Sequence, residues 1–238
     1  MYYYLLSFAY MSVLLLSFIA SLQAYYNKNT PVYLKLFAPF LLFTICVESA
    51  GYILNAIYEV GNTFVYSYFL PVMFIFHMYV AYNILKNRIL RNIIVLSSCI
   101  YLLVLLGYFL FRKNAGFPYY NYYAGAIMIS LCYISYIIQL RHFPISKTPR
   151  REPAFWIAVG TLFYYGGSLT IWIGERMYPF SPEALVVLTT MLMGLNFFQY
   201  SCIGLAFLCK KVFKKKNIPN LDWAEFSDYS SDRNKSYI

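Results

Sequence analysis

FLLFTICVESAGYILNAI, residues 40–57, reads as the middle of a helix that crosses a bilayer, yet it holds a glutamate. A charged group near the centre of a membrane costs several kcal/mol unless something compensates it. Glu48 lies nine residues from one end of this run, about 13 Å at the helical rise. The stretch therefore implies both a membrane fold and a protein interior that can receive a carboxyl group.

The rest of the chain agrees with the first implication. Hydrophobic residues make up 61% and charged residues 12%, a balance that a soluble domain of 238 residues could not hide. Apolar runs of about 20 residues, the length that spans a hydrocarbon core, fall near 3–24, 34–57, 62–85, 92–111, 122–141, 154–174 and 183–209. They are continuous rather than alternating, which excludes a closed barrel. The start has no positive region and no small-residue cleavage site, so it reads as a retained first span. The expectation is an all-α polytopic membrane protein. Its transmembrane domain occupies residues 1–209, followed by a basic, then polar and flexible tail over 210–238.

Charge sets the expected direction. Lys28, Lys35, Lys86, Arg88, Arg91, Arg141, Lys147, Arg150, Arg151, Lys210, Lys211, Lys214, Lys215 and Lys216 fall on one side of the membrane. Only Arg112, Lys113 and Arg176 fall on the other. The positive-inside rule then places the amino terminus outside and the carboxyl terminus in the cytoplasm. The net charge of +10 is mostly this topology signal and calls for no nucleic-acid partner. Arg88, Arg91, Arg150, Arg151 and the lysines from Lys210 to Lys216 are candidates for contact with anionic lipid or a cytoplasmic protein.

On the second span, Thr44, Glu48, Gly51, Tyr52, Asn55 and Glu59 fall within about a 100° arc at helical spacing. The third span offers Tyr66, Met73 and His77, and the fifth Cys132, Tyr136 and Gln139. Tyr164, Ser168 and Glu175 line up on the sixth, and Thr189, Met193, Asn196 and Tyr200 on the seventh, with Gln199 at its edge. Lipid satisfies none of these groups, so the faces point to a shared interior. Glu48, Tyr52, Asn55, His77, Tyr136, Tyr164, Asn196, Gln199 and Tyr200 are the pocket candidates. Glu48 has two readings, a helix fastener or a ligand anchor and protonation switch. For His77, Asn196 and Gln199 the packing reading is the simpler one. Gly160, Gly167 and Gly174 form a small-residue seam, and Pro39 and Pro71 each remove a backbone bond within a span.

Several chemistries are excluded. The last span, Glu183–Cys209, has no lysine, so a retinal Schiff base has no anchor and no cofactor is expected. His77 is the only histidine within a span and no aspartate precedes Asp222, which leaves no ligand set for an intramembrane metal and no aspartate pair for proteolysis. Three classes remain: a sensor or receptor that signals to a separate protein, a small proton-coupled transporter or channel using Glu48, and a scaffold subunit without ligand.

EPAFWIAVGTLFYYGGSLTIWI (152–173) and NFFQYSCIGLAFLCKK (196–211) resemble the last two helices of small seven-helix membrane proteins common in Bacteroidota. Similar regions precede the kinase domains of some sensor histidine kinases of those bacteria. The resemblance implies a sensor-like role at a bacterial inner membrane, with a separate cytoplasmic partner such as a histidine kinase.

Overall fold

A computed structural model of the chain describes residues 2–56, 58, 62–111, 118–140, 149–178 and 180–213. They form α1 (Tyr2–Tyr26), α2 (Val32–Lys35), α3 (Phe37–Ala56), α4 (Thr63–Ile84), α5 (Arg88–Phe111), α6 (Tyr119–Leu140), a 3-10 turn (Pro149–Arg151), α7 (Pro153–Met177) and α8 (Pro182–Val212). No strand occurs among the described residues. With α2 and α3 counted as one span, seven segments are long and apolar enough to cross a membrane. Each expected span is recovered to within a few residues. Ile57, Glu59, Arg112, Lys113, Arg141, Lys147, Lys214, Lys215, Lys216 and the tail over 214–238 lie outside the described residues.

Two boundaries move charged residues into helices. α5 begins at Arg88, so Arg88 and Arg91 occupy its first turn rather than a loop. The Arg91 guanidinium lies 4.3 Å over the Tyr82 ring, which holds it against the end of α4. α8 runs on to Val212 and takes Lys210 and Lys211 into its last turn, where cations complement the exposed carbonyls. The last helix therefore does carry lysines, but only at its very end, beyond the apolar part.

The division between α2 and α3 has a local cause. Pro39 has no N–H to offer the carbonyl of Lys35, one turn earlier, and the helix is interrupted at Leu36. α4 instead runs through Pro71 without a break.

Contacts between the helices give their order. Ser17 Oγ of α1 donates to the Tyr200 carbonyl of α8 at 2.7 Å. Lys211 Nζ donates to Gln23 Oε1 at 3.0 Å, so these two helices run parallel. α7 runs antiparallel to α8, with Gly160 against Cys202 and Gly167 against Leu195. α6 and α7 are also antiparallel, joined at one end by Tyr122–Ser168 and at the other by Tyr136–Glu152. α4 and α6 run parallel through His77–Tyr133, and α3 returns against α4, with Phe40 stacked on Phe76 at 3.8 Å. The outcome is a closed ring, α1–α3–α4–α6–α7–α8, with α5 outside it against α4 and α6. α5 is the most apolar span and the least buried. Only Ile94, Tyr101 and Leu105 of α5 are buried, a single stripe at helical spacing.

Candidate functional site

The interior of the ring carries several buried tyrosines, among them Tyr10, Tyr133, Tyr165 and Tyr200, and the polar groups fall into three levels along it. The first is centred on Glu48. The inward face of α3 runs through Leu41, Thr44, Val47 and Gly51, all buried, and Glu48 sits half-buried at its margin. Tyr66 of α4 donates to Glu48 Oε2 at 2.8 Å. It reaches the carboxylate because Gly51, one turn further along α3, has no side chain: a Cβ there would lie 3.1 Å from the Tyr66 hydroxyl. Tyr10 of α1 and Tyr200 of α8 close the level, their ring centroids 5.8 Å apart. The Tyr10 hydroxyl is buried beside Glu48 and Tyr200 and makes no hydrogen bond of good geometry among the described residues. Thr44 spends its own hydroxyl on the Phe40 carbonyl, 2.9 Å away, next to Tyr200. Glu48 is thus surrounded by tyrosines from α1, α4 and α8, and no cation stands among its neighbours in the described residues.

The second level is centred on His77, which is 1% exposed. Its Nδ1 lies 3.1 Å from the Tyr133 hydroxyl of α6. The rings of Tyr133 and Tyr165 meet it edge to face at 5.9 and 5.8 Å. On the adjoining side, the hydroxyls of Tyr122 and Ser168 lie 2.6 Å apart. Glu48 and His77 therefore belong to separate hydrogen-bonding groups.

The third level lies at the end of the bundle that carries the basic residues. Tyr136 of α6 donates to Glu152 Oε2 at 3.1 Å, and Tyr33 of α2 lies beside the same carboxylate. Glu152 stands at the N-cap position of α7, but its side chain turns to Tyr136 rather than to the helix end. Lys210 and Arg151 are close by, and Cys209 Sγ lies 3.3 Å from the Arg151 carbonyl. Trp156 donates to the Arg150 carbonyl at 2.8 Å and stacks on Phe213, which pins the 3-10 turn to the end of α8.

Of the nine residues expected to share a pocket, the structure places Glu48, Tyr200 and Tyr164 near one another. Tyr164 is half-buried on α7 beside Tyr122 and Tyr165, with its hydroxyl side towards the Glu48 level. His77 and Tyr136 belong to the two other levels. Asn196 turns back to the Leu192 carbonyl of its own helix at 3.1 Å. Gln199 is buried where its backbone meets Gly160. Tyr52 is 55% exposed, and Asn55 is exposed too. Tyr52 falls outside the inward face, since the buried line from Leu41 to Gly51 is rotated away from it. Asn55 lies at the end of α3, past the last neighbouring side chain that buries the helix.

Reading the sequence missed Tyr10, Tyr133, Tyr165 and Glu152 as site residues, and placed Tyr66 on the polar face of its span without counting it in the pocket. With 27 tyrosines in the chain, no single one stands out by composition. The available signal was position: Tyr66 lies one turn into α4, level with a carboxyl group one helix away. No group of three or more metal-ligating side chains occurs among the described residues. Comparison with protein-family models, curated proteins and solved structures finds no match.

Proposed function

We propose that the protein is a sensor-like seven-helix membrane protein whose trigger is the protonation of Glu48. The supporting observation is the Glu48 cluster, a carboxyl group where α1, α3, α4 and α8 meet, attended only by tyrosine hydroxyls. An ionised Glu48 accepts from Tyr66. A protonated one becomes a donor, and the Tyr10 oxygen stands beside it as an acceptor. One proton therefore changes which helices the carboxyl group ties together. α8 feels the change through Tyr200, whose carbonyl is bonded to Ser17, and the far end of α8 carries Lys210 and Lys211.

In this reading the amino terminus faces outside, as the distribution of lysine and arginine supports. The basic end, with Arg88, Arg91, Arg150 and Arg151, faces the cytoplasm and presents the change to a separate signalling protein. The resemblance of residues 152–173 and 196–211 to sensor regions supports a histidine kinase as that partner and a bacterial inner membrane as the location. The close ring packing around Glu48 favours a proton over a bulky soluble ligand.

The test is a distance measurement across the basic end, with spin labels at Arg88 and Arg150 replaced by cysteine, in lipid nanodiscs over a pH series. The expected result is a pH-dependent change in distance that Glu48→Gln removes. Identical pH responses in the two proteins would overturn the proposal. Proton flux into proteoliposomes that disappears in Glu48→Gln would instead identify a transporter.

A further inference from the structure

Beside the second level, between α4, α5, α6 and α7, the packing leaves a small, half-open pocket with room for about one water molecule. Its walls are mostly apolar and include Phe74, Tyr101 and Ile129, all buried. Besides Tyr101, three side chains with polar groups line it: Asn121, in the first turn of α6, Tyr122 next to it, and Tyr165, in the middle of α7. Asn121 is 8% exposed and Tyr165 1%. The Asn121 Nδ2 and the Tyr165 hydroxyl are both buried without a hydrogen-bond partner among the described residues. A buried polar group left unpaired costs about 1–3 kcal/mol, and here two of them belong to residues that line one pocket.

We propose that this pocket is a binding site for a single water molecule that bridges Asn121 and Tyr165. The chemistry fits: the amide can only donate from Nδ2, whereas the phenol donates or accepts. A water there accepts from Asn121 and completes a second bond with Tyr165 in either direction. Apolar voids stay dry, but a pocket of this size lined by two residues with unpaired buried polar atoms suits a water. The bridge ties the first turn of α6 to the middle of α7. It is separate from the Glu48 cluster and does not depend on the role given to that cluster.

The sign of a conservative substitution separates a bridged pair from two unpaired groups. Thermal midpoints of Tyr165→Phe, Asn121→Leu and the double variant are compared with the unaltered protein in one detergent. With a bridging water, Tyr165→Phe lowers the midpoint by a few degrees, and the double variant falls no further than the lower single variant. Removing an unpaired hydroxyl from a dry pocket would leave the midpoint unchanged or raise it, and that result overturns the proposal. So do additive effects of the two substitutions. Should Asn121→Leu fail to fold, the electron density at this place in crystals of the unaltered protein and of Tyr165→Phe decides. An ordered water between Asn121 and Tyr165 in the unaltered protein is expected, and its absence there would overturn the proposal.

Discussion

At the scale of the residue, the question is how a carboxyl group is tolerated inside a helical bundle without a cation. The answer combines a donor with the space to deliver it. Tyr66 supplies the hydrogen bond, and Gly51 supplies the room, since any larger residue would press a Cβ to within 3.1 Å of the Tyr66 hydroxyl. Two substitutions should therefore act as one. Tyr66→Phe removes the donor, and Gly51→Ala displaces it. Each should cost about 1 kcal/mol, the usual worth of a polar contact between membrane helices. In the double variant the losses should not add, because the second substitution has nothing left to break. Thermal midpoints of the three variants in one detergent check this, and full additivity would mean that Gly51 acts elsewhere. The same pair shows how much of the site could be read from sequence. Thr44, Glu48 and Gly51 stand out as polar or small residues on an apolar helix, and all three face inward or sit at the margin of the inward face. Their partners were hidden for the opposite reason. Against 27 tyrosines Tyr10 carries no contrast and Tyr66 shows only as one member of a polar face, so three-dimensional neighbourhood is what makes them partners of Glu48.

At the scale of the element, the spacing of Gly160, Gly167 and Gly174 treats the three as equals, whereas the helix pair α7–α8 does not. A Cβ on Gly160 would lie 2.7 Å from the Cys202 Cβ and 3.0 Å from the Gln199 carbonyl oxygen, which belong to or adjoin the backbone and cannot turn aside. At Gly167 the obstacle is the far end of Leu195, which can rotate. At Gly174 the nearest atom is 3.8 Å away, an ordinary contact with Phe180. Substitution by alanine should therefore give a graded series. Gly160→Ala should lose about 1–3 kcal/mol through overpacking, Gly167→Ala distinctly less, and Gly174→Ala nothing. Unfolding of each variant by denaturant in mixed micelles measures the order, and equal losses at all three would contradict the described helix crossing. Gly204 belongs to the same logic from the other side of α8. It lets Ser17 come close enough to bond the Tyr200 carbonyl, although no regular glycine spacing announces it. Helix existence was legible because each span is a long apolar run. The interruption at Leu36 was legible only as a proline, since a missing N–H does not say whether the helix will break, as before Pro39, or continue, as through Pro71.

At the scale of the whole molecule, seven spans follow from hydropathy, but the order of the ring does not. Lipid and protein interior are equally apolar, so a helix face turned to one looks like a face turned to the other. α5 illustrates the inversion. It is the most apolar span, and in a soluble protein it would be the central element; here it stands outside the ring with most of its circumference exposed. Its attachment rests on a narrow stripe in which Tyr101 stacks on Phe74 with ring centroids 3.8 Å apart. Leu103, two residues on, is 69% exposed and faces away from every other helix. The two positions should respond in opposite fashion to truncation. Leu103→Ala exchanges one lipid-facing apolar side chain for a smaller one and should change stability by less than about 0.5 kcal/mol. Tyr101→Ala removes the stacked ring, worth on the order of 1 kcal/mol for the aromatic pair alone, and opens the packing beneath it. Because α5 packs mainly on α4 and α6 among the described residues, the loss should stay local: hydrogen exchange should rise along α5 and leave the α1–α8 and α7–α8 pairs protected. Exchange measured by mass spectrometry on both variants distinguishes this from a fold in which α5 is central, where Tyr101→Ala would raise exchange throughout the ring.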